Sequence, residues 1–81
     1  MEPNINKQLD ARGEVCPWPV MLTMKEIHTM PSGEVLEVLI DHTPSLTNIP
    51  EAAKREGHEI VSTEKLEQGV YRILIKTNKL A

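Results

Sequence analysis

Two prolines one residue apart, in the run Gly13-Glu14-Val15-Cys16-Pro17-Trp18-Pro19, mark where this 81-residue chain must turn from extended to helical backbone. Pro17 disfavours the α region for Cys16 and pushes it into an extended conformation. Pro19 brings the φ of a first helical turn and lacks an amide that a helix could not use there. The only cysteine therefore stands at the mouth of a helix. There the amides of Trp18, Val20 and Met21 and the positive end of the helix dipole favour thiolate over thiol, the form that attacks sulfur. A lone cysteine is more often a buried packing residue, but the Pro-Trp-Pro context favours an accessible one.

One cysteine cannot make an internal disulfide, so stability must come from packing, and residues 1–81 read as a single domain with an ordered core of about 7–77. The packing material is aliphatic: there is no phenylalanine, one Trp18 and one Tyr71. A reducing compartment, the cytoplasm, is expected. Met1 to Lys7 carries Glu2 and two asparagines where a signal peptide needs an apolar stretch, and no apolar run approaches the ~20 residues of a membrane span. A net charge of −3 without a basic face or aromatic stacking platforms argues against direct nucleic-acid binding. The adjacent Lys54 and Arg55 read as the solvated face of a helix.

The order of elements follows from periodicity. Lys7 to Asp10 is a short strand with Leu9 inward. Val20, Met24 and Ile27 recur at helical spacing with Met21 beside them, and Pro31-Ser32-Gly33 ends that helix. Glu34 to Asp41 alternates as a strand, so a strand–helix–strand unit with parallel pairing is expected. Leu46, Ile49 and Ala53 define a second helix, with Pro50 confined to its first turn or two and Gly57 at its C′ position. Ile60 to Lys65 is a strand of mixed pattern. Glu67-Gln68-Gly69 is a turn, and Val70 to Lys76 alternates with Tyr71, Ile73 and Ile75 on one face. The expected fold is α/β (α+β): a βαβαββ two-layer sandwich whose mixed four-stranded sheet is covered on one face by two helices. Val35 and Leu39 then lie on an opposite face open to solvent, a candidate surface for self-association or for a partner.

Leu9-Asp10-Ala11-Arg12-Gly13 leads into Cys16-Pro17-Trp18-Pro19, and Met30-Pro31-Ser32-Gly33-Glu34, Asp41, Ile49-Pro50 and Gly57-His58 follow at matching places. In these residues, over nearly its whole length, the chain resembles the TusA/SirA-like family of small sulfur-carrier proteins. The resemblance implies the same βαβαββ sandwich. It also implies that Cys16 accepts sulfane sulfur as a persulfide and hands it to a downstream acceptor protein, with Gly13, Pro17, Trp18 and Pro19 shaping the turn that presents it. Arg12 and Lys25 are auxiliary candidates. The implied partners are a sulfur-donor protein, either a cysteine desulfurase or a rhodanese-like protein, or thiosulfate itself, together with the acceptor. No cofactor and no metal are implied.

The chain departs from the family pattern in Glu14, where an apolar residue is common, and in Leu22 and Met24, which thin a basic rim on the first helix. Trp18 and Asp41-His42-Thr43 look more like the branch associated with thiosulfate uptake, whose members work beside a membrane transporter. Both branches stay open. A reading of another class is a regulatory or interaction module whose cysteine does no turnover.

Other sites are thin. His28, His42 and His58 show no pair at ligand spacing, so a structural metal is not expected. His28 falls near a helix C-terminus, where its cation suits the dipole, and His58 reads as a strand-entry residue. Neither a Ser-His-carboxylate arrangement nor a glycine-rich phosphate loop is legible. Trp18 suits either an exposed partner anchor or a lid over the strand ends.

Overall fold

The computed structural model describes residues 5–15 and 18–78. The elements run β1 (Lys7–Asp10), α1 (Trp18–Thr29), β2 (Val35–Ile40), α2 (Ser45–Arg55), β3 (Glu59–Glu67) and β4 (Val70–Lys76). The sheet has the order β1-β2-β4-β3, with β1 parallel to β2 and the other pairs antiparallel. This is the mixed four-stranded sheet with two helices that the pattern of residues leads one to expect.

Register explains the core. Leu36 lies opposite Ile75, Val38 opposite Ile73 and Ile40 opposite Tyr71, so β2 and β4 turn one aliphatic face toward the helices. Ile27 of α1 and Ile49 and Ala53 of α2 complete the cluster, all without exposed surface. Branched aliphatics suit the centre of a sheet, where their stiff side chains pack against neighbours on the pleated surface.

The buried stripe of α1 differs from the sequence expectation. Pro19, Thr23 and Ile27 form it, while Val20 and Met24 are partly buried and Met21 is exposed. Thr23 can occupy the stripe because its hydroxyl donates to the Pro19 carbonyl one turn back at 2.7 Å, which leaves its methyl to pack. In α2, Pro50 sits in the second turn and removes the bond that would have reached the Leu46 carbonyl. The helix closes in a Schellman motif: Gly57, at φ +90°, donates to the Lys54 carbonyl and His58 to the Ala53 carbonyl, both at 2.9 Å. The mixed pattern of β3 also finds its cause, because register shifts at Ile60/Ser62 and Lys65/Glu67 exchange the two faces along the strand.

The face of the sheet away from the helices is less open than expected. Val35 is buried there, as are Glu37 and Leu74, and Leu39 is half-buried. Polar side chains link all four strands across it. Gln8 Nε2 donates to Glu37 Oε1 at 2.7 Å, Arg72 spans Glu37 at 3.2 Å and Glu64 at 2.6 Å, and Ser62 donates to Glu64 at 3.3 Å. The Arg72 hydrogen bond holds the Glu64 carboxyl below its ordinary range. Long side chains bound laterally to one another shield the aliphatic residues between them.

Candidate functional site

Parallel pairing of β1 and β2 through α1 brings the carboxyl ends of both strands, and the starts of α1 and α2, to one end of the sheet. This is where open α/β sheets place their sites. The segment between β1 and α1 is pinned there. Ala11 is fully buried and its amide donates to the Leu39 carbonyl at 2.8 Å, prolonging the β1–β2 ladder. Glu14 N–H reaches back to the Ala11 carbonyl at 3.3 Å, closing a tight turn that holds Gly13 at φ +85°. A side chain at Gly13 would meet open space, so its requirement there is one of backbone conformation and not of room. The Gly13 N–H donates to both carboxylate oxygens of Asp41, at 3.0 and 3.1 Å, from just past the end of β2.

Cys16 and Pro17 lie outside the described residues; their neighbours do not. The Trp18 amide donates to the Val15 carbonyl at 2.9 Å, so the chain on the two sides of the pair is closely bridged, and Trp18, expected to offer one of the unpaired amides of the helix start, has its amide already used by that turn. Val15 is 59% exposed and Trp18 and Met21 are each 52% exposed. Trp18 and Met21 stand one helical turn apart and share a face with the exposed Lys25.

Pro19 does more than preset a turn. Its ring is fully buried in the stripe that seats α1, and its carbonyl receives Thr23. Pro19→Ala removes about two buried methylene equivalents, ~0.8 kcal/mol each, and also frees the unfolded chain by about 0.4–1 kcal/mol. A loss of roughly 2 kcal/mol is expected in denaturant melts, and a midpoint unchanged from wild type would show that the ring carries no packing role.

Arg12 forks onto Asp10, Nε to Oδ1 and Nη2 to Oδ2 at 2.9 Å each. That pairing, with the Arg12 amide on the same carboxylate, holds the Asp10 carboxyl down at about 2, and Asp10, Asp41 and Glu67 together raise Arg12. The auxiliary candidates are thus differently placed: Arg12 is committed to Asp10 and Lys25 stands on α1. Each histidine has a polar partner within the chain. His58 is buried and its Nδ1 accepts the Asn78 amide at 3.0 Å, His28 meets Glu56 at 3.1 Å, and His42 meets Ser45 at 3.3 Å. Among the described residues no group of three or more His, Cys, Asp or Glu side chains is arranged to hold a metal ion, and no helix is long and apolar enough to cross a membrane.

The family model for "Sulfurtransferase TusA" matches residues 7–77. The chain belongs to the TusA family. Relatives of this TusA-family chain include one from Archaeoglobus fulgidus, 45% identical over 88% of this chain and 81% of its own length, and one from Thermotoga maritima, 43% identical over 89% and 91%. Both bear the name "Putative sulfur carrier protein". The crystal structure of a SirA-like protein from Desulfitobacterium hafniense superposes with a TM-score of 0.80 at 28% identity, covering 90% of this chain and 99% of that one. A protein of Helicobacter pylori, studied in solution, shares the fold alone, at a TM-score of 0.59 and 21% identity. Membership makes the chain a sulfur-transfer protein of the carrier type, with donor and acceptor proteins as partners in general. The grip of Asp41 on Gly13 was not legible in the residue pattern, because a carboxylate after a strand is ordinary and its partner lies 28 positions away.

Proposed function

We propose that this TusA-family chain takes sulfane sulfur onto Cys16 as a persulfide, in the cytoplasm, and passes it to an acceptor protein. The observation that carries this reading is the exposure of three large apolar side chains, Val15, Trp18 and Met21, on both sides of the single cysteine in a family of sulfur carriers. Exposed aromatic and methionine side chains beside a reactive thiol suit transient docking of a protein that must come and go.

The chemistry balances without an oxidant. The Cys16 thiolate attacks the outer sulfur of a donor persulfide, the Sγ–S bond forms as the donor S–S bond breaks, and the donor thiolate leaves with the electron pair. Delivery repeats the step in reverse roles, with Cys16 as the leaving thiolate.

A protein-bound persulfide suits this site better than free thiosulfate. Glu14 stands two residues before the cysteine in the chain, Asp10, Asp41 and Glu67 act on Arg12 from the same end of the sheet, and the Arg12 fork is already occupied by Asp10. A small dianion meets like charge there, whereas a protein brings its own compensating groups. The test is intact-mass spectrometry without reductant, after incubation with a cysteine desulfurase and cysteine or with thiosulfate. Sulfur-sized additions on the Cys16 peptide, formed faster from the desulfurase, are expected. No addition from either donor overturns the carrier reading in favour of a module whose cysteine does no turnover, and faster loading from thiosulfate overturns the choice of donor.

A further inference from the structure

We propose that Asp41 is a positioning residue for sulfur transfer, acting through the Gly13 amide on the segment that delivers Cys16. The inference rests on the carrier reading and names a residue that reading does not use. Residues 11–15 have two kinds of anchor. One is local and backbone pairing, from Ala11 to Leu39, from Glu14 to Ala11, from the Arg12 amide to the neighbouring Asp10 carboxylate and from Trp18 to Val15, which ties the segment to the sheet and to itself. The other is the Asp41 carboxylate, 28 positions along the chain, taking Gly13 N–H with both oxygens. Cys16 follows only three residues later.

The geometry makes the contact specific. Gly13 sits at φ +85° and its amide pairs with the Asp41 carboxylate; an exposed amide deprived of such a partner pairs with water instead. Asp41 is itself placed by rigid structure, directly after β2, whose last residue Ile40 is fully buried in the core. The carboxylate therefore transmits the position of the central sheet to the turn before the cysteine. It is exposed, so its removal leaves the core intact. Its Coulombic action on Arg12 is secondary, since Arg12 is held by Asp10.

Reactions between two proteins depend on placing the attacking atom, and misplacement by about 1 Å costs up to ~10²-fold in rate. Asp41→Ala is thus expected to load from a cysteine desulfurase and cysteine about tenfold or more slowly, with the thermal midpoint and the rate of iodoacetamide alkylation of Cys16 nearly unchanged. A small reagent does not need the thiol in one place; a docked protein does. Asp41→Asn keeps an acceptor oxygen for Gly13 and is expected to recover most of the loading rate. Gly13→Ala strains the same turn, so combined with Asp41→Ala it should cost less than the product of the two single losses. The Gly13 amide should exchange with solvent faster in Asp41→Ala than in wild type.

The proposal is overturned by wild-type loading in Asp41→Ala, by an Asn variant as slow as the Ala variant, or by alkylation that slows in parallel with loading. If the wild-type chain takes sulfur from neither the desulfurase and cysteine nor thiosulfate, the carrier reading fails and this role falls with it; if it loads from thiosulfate alone, the choice of a protein donor fails and this role, which serves a docked protein, falls with that choice. If the wild type loads and Asp41→Ala loads equally well, this role alone fails.

Discussion

Cys16→Ser is expected to take up no sulfur from any donor while unfolding at the wild-type temperature. The hydroxyl is close in volume to the thiol and can fill the same space, but an alcohol of far higher pKa offers no thiolate and forms no persulfide. No second cysteine exists to take over the role. The loss is therefore complete and not graded, which makes this the largest effect expected of any single substitution. Intact-mass spectrometry after desulfurase treatment reads it directly, alongside circular dichroism melts of both proteins. Sulfur additions that persist in the serine variant would place the chemistry elsewhere in the chain. A lowered midpoint would mean that the thiol packs, as a buried structural cysteine does.

The largest expected effect on stability belongs to the opposite part of the molecule. Ile73 lies in β4 between β2 and β3, opposite Val38 on one side and Thr63 on the other, and has no exposed surface. Ile73→Ala deletes buried methyl and methylene groups from a site that neighbours on both strands prevent from collapsing, at a cost of about 2–5 kcal/mol. For a chain of this size the whole stability is roughly 4–12 kcal/mol, and each kcal/mol moves the midpoint by about 4–8 °C. A fall of roughly 10–30 °C is expected, or loss of the folded state at the upper end. Val61→Ala, on exposed β3, is the control and should stay within about 0.5 kcal/mol. Equal melting of the two variants would mean that the centre of the sheet repacks freely.

The contrast between the two substitutions locates function and stability in different parts of one small fold. The aliphatic cluster between helices and sheet holds the molecule, whereas the end where β1 and β2 finish carries the exposed Val15, Trp18 and Met21 and the pinned turn at Gly13. An exposed apolar group beside the reacting residue contributes little to folding. It is available for a partner instead.

Much of this was determined by the sequence alone, because the deciding signals are local. Alternation in Val70–Lys76, helical spacing of Leu46, Ile49 and Ala53, and Gly57 at the helix end are read from neighbours within a few positions, and each corresponds to the element or cap observed. The prolines around Trp18 likewise determine where α1 starts, and the order of elements restricts two helices to one face of the sheet. The family likeness came from the same local runs.

What the tertiary structure decided involves partners distant in the chain or a phase that neighbours cannot set. Thr23, with Pro19, joined the buried stripe ahead of Val20 and Met24 because its hydroxyl found the Pro19 carbonyl, a saturation that hydropathy does not record. The face expected to be open has Val35 and Leu74 buried because Gln8, Glu37, Arg72 and Glu64, each ordinary in its own strand, meet only when four strands are aligned. The hold of Asp41 on Gly13 depends in the same way on parallel pairing that brings the ends of β1 and β2 together. Periodicity fixes which way a residue faces; only the assembled sheet decides what it meets there, since hydrogen bonds between side chains depend on ångström distances that sequence separation does not encode.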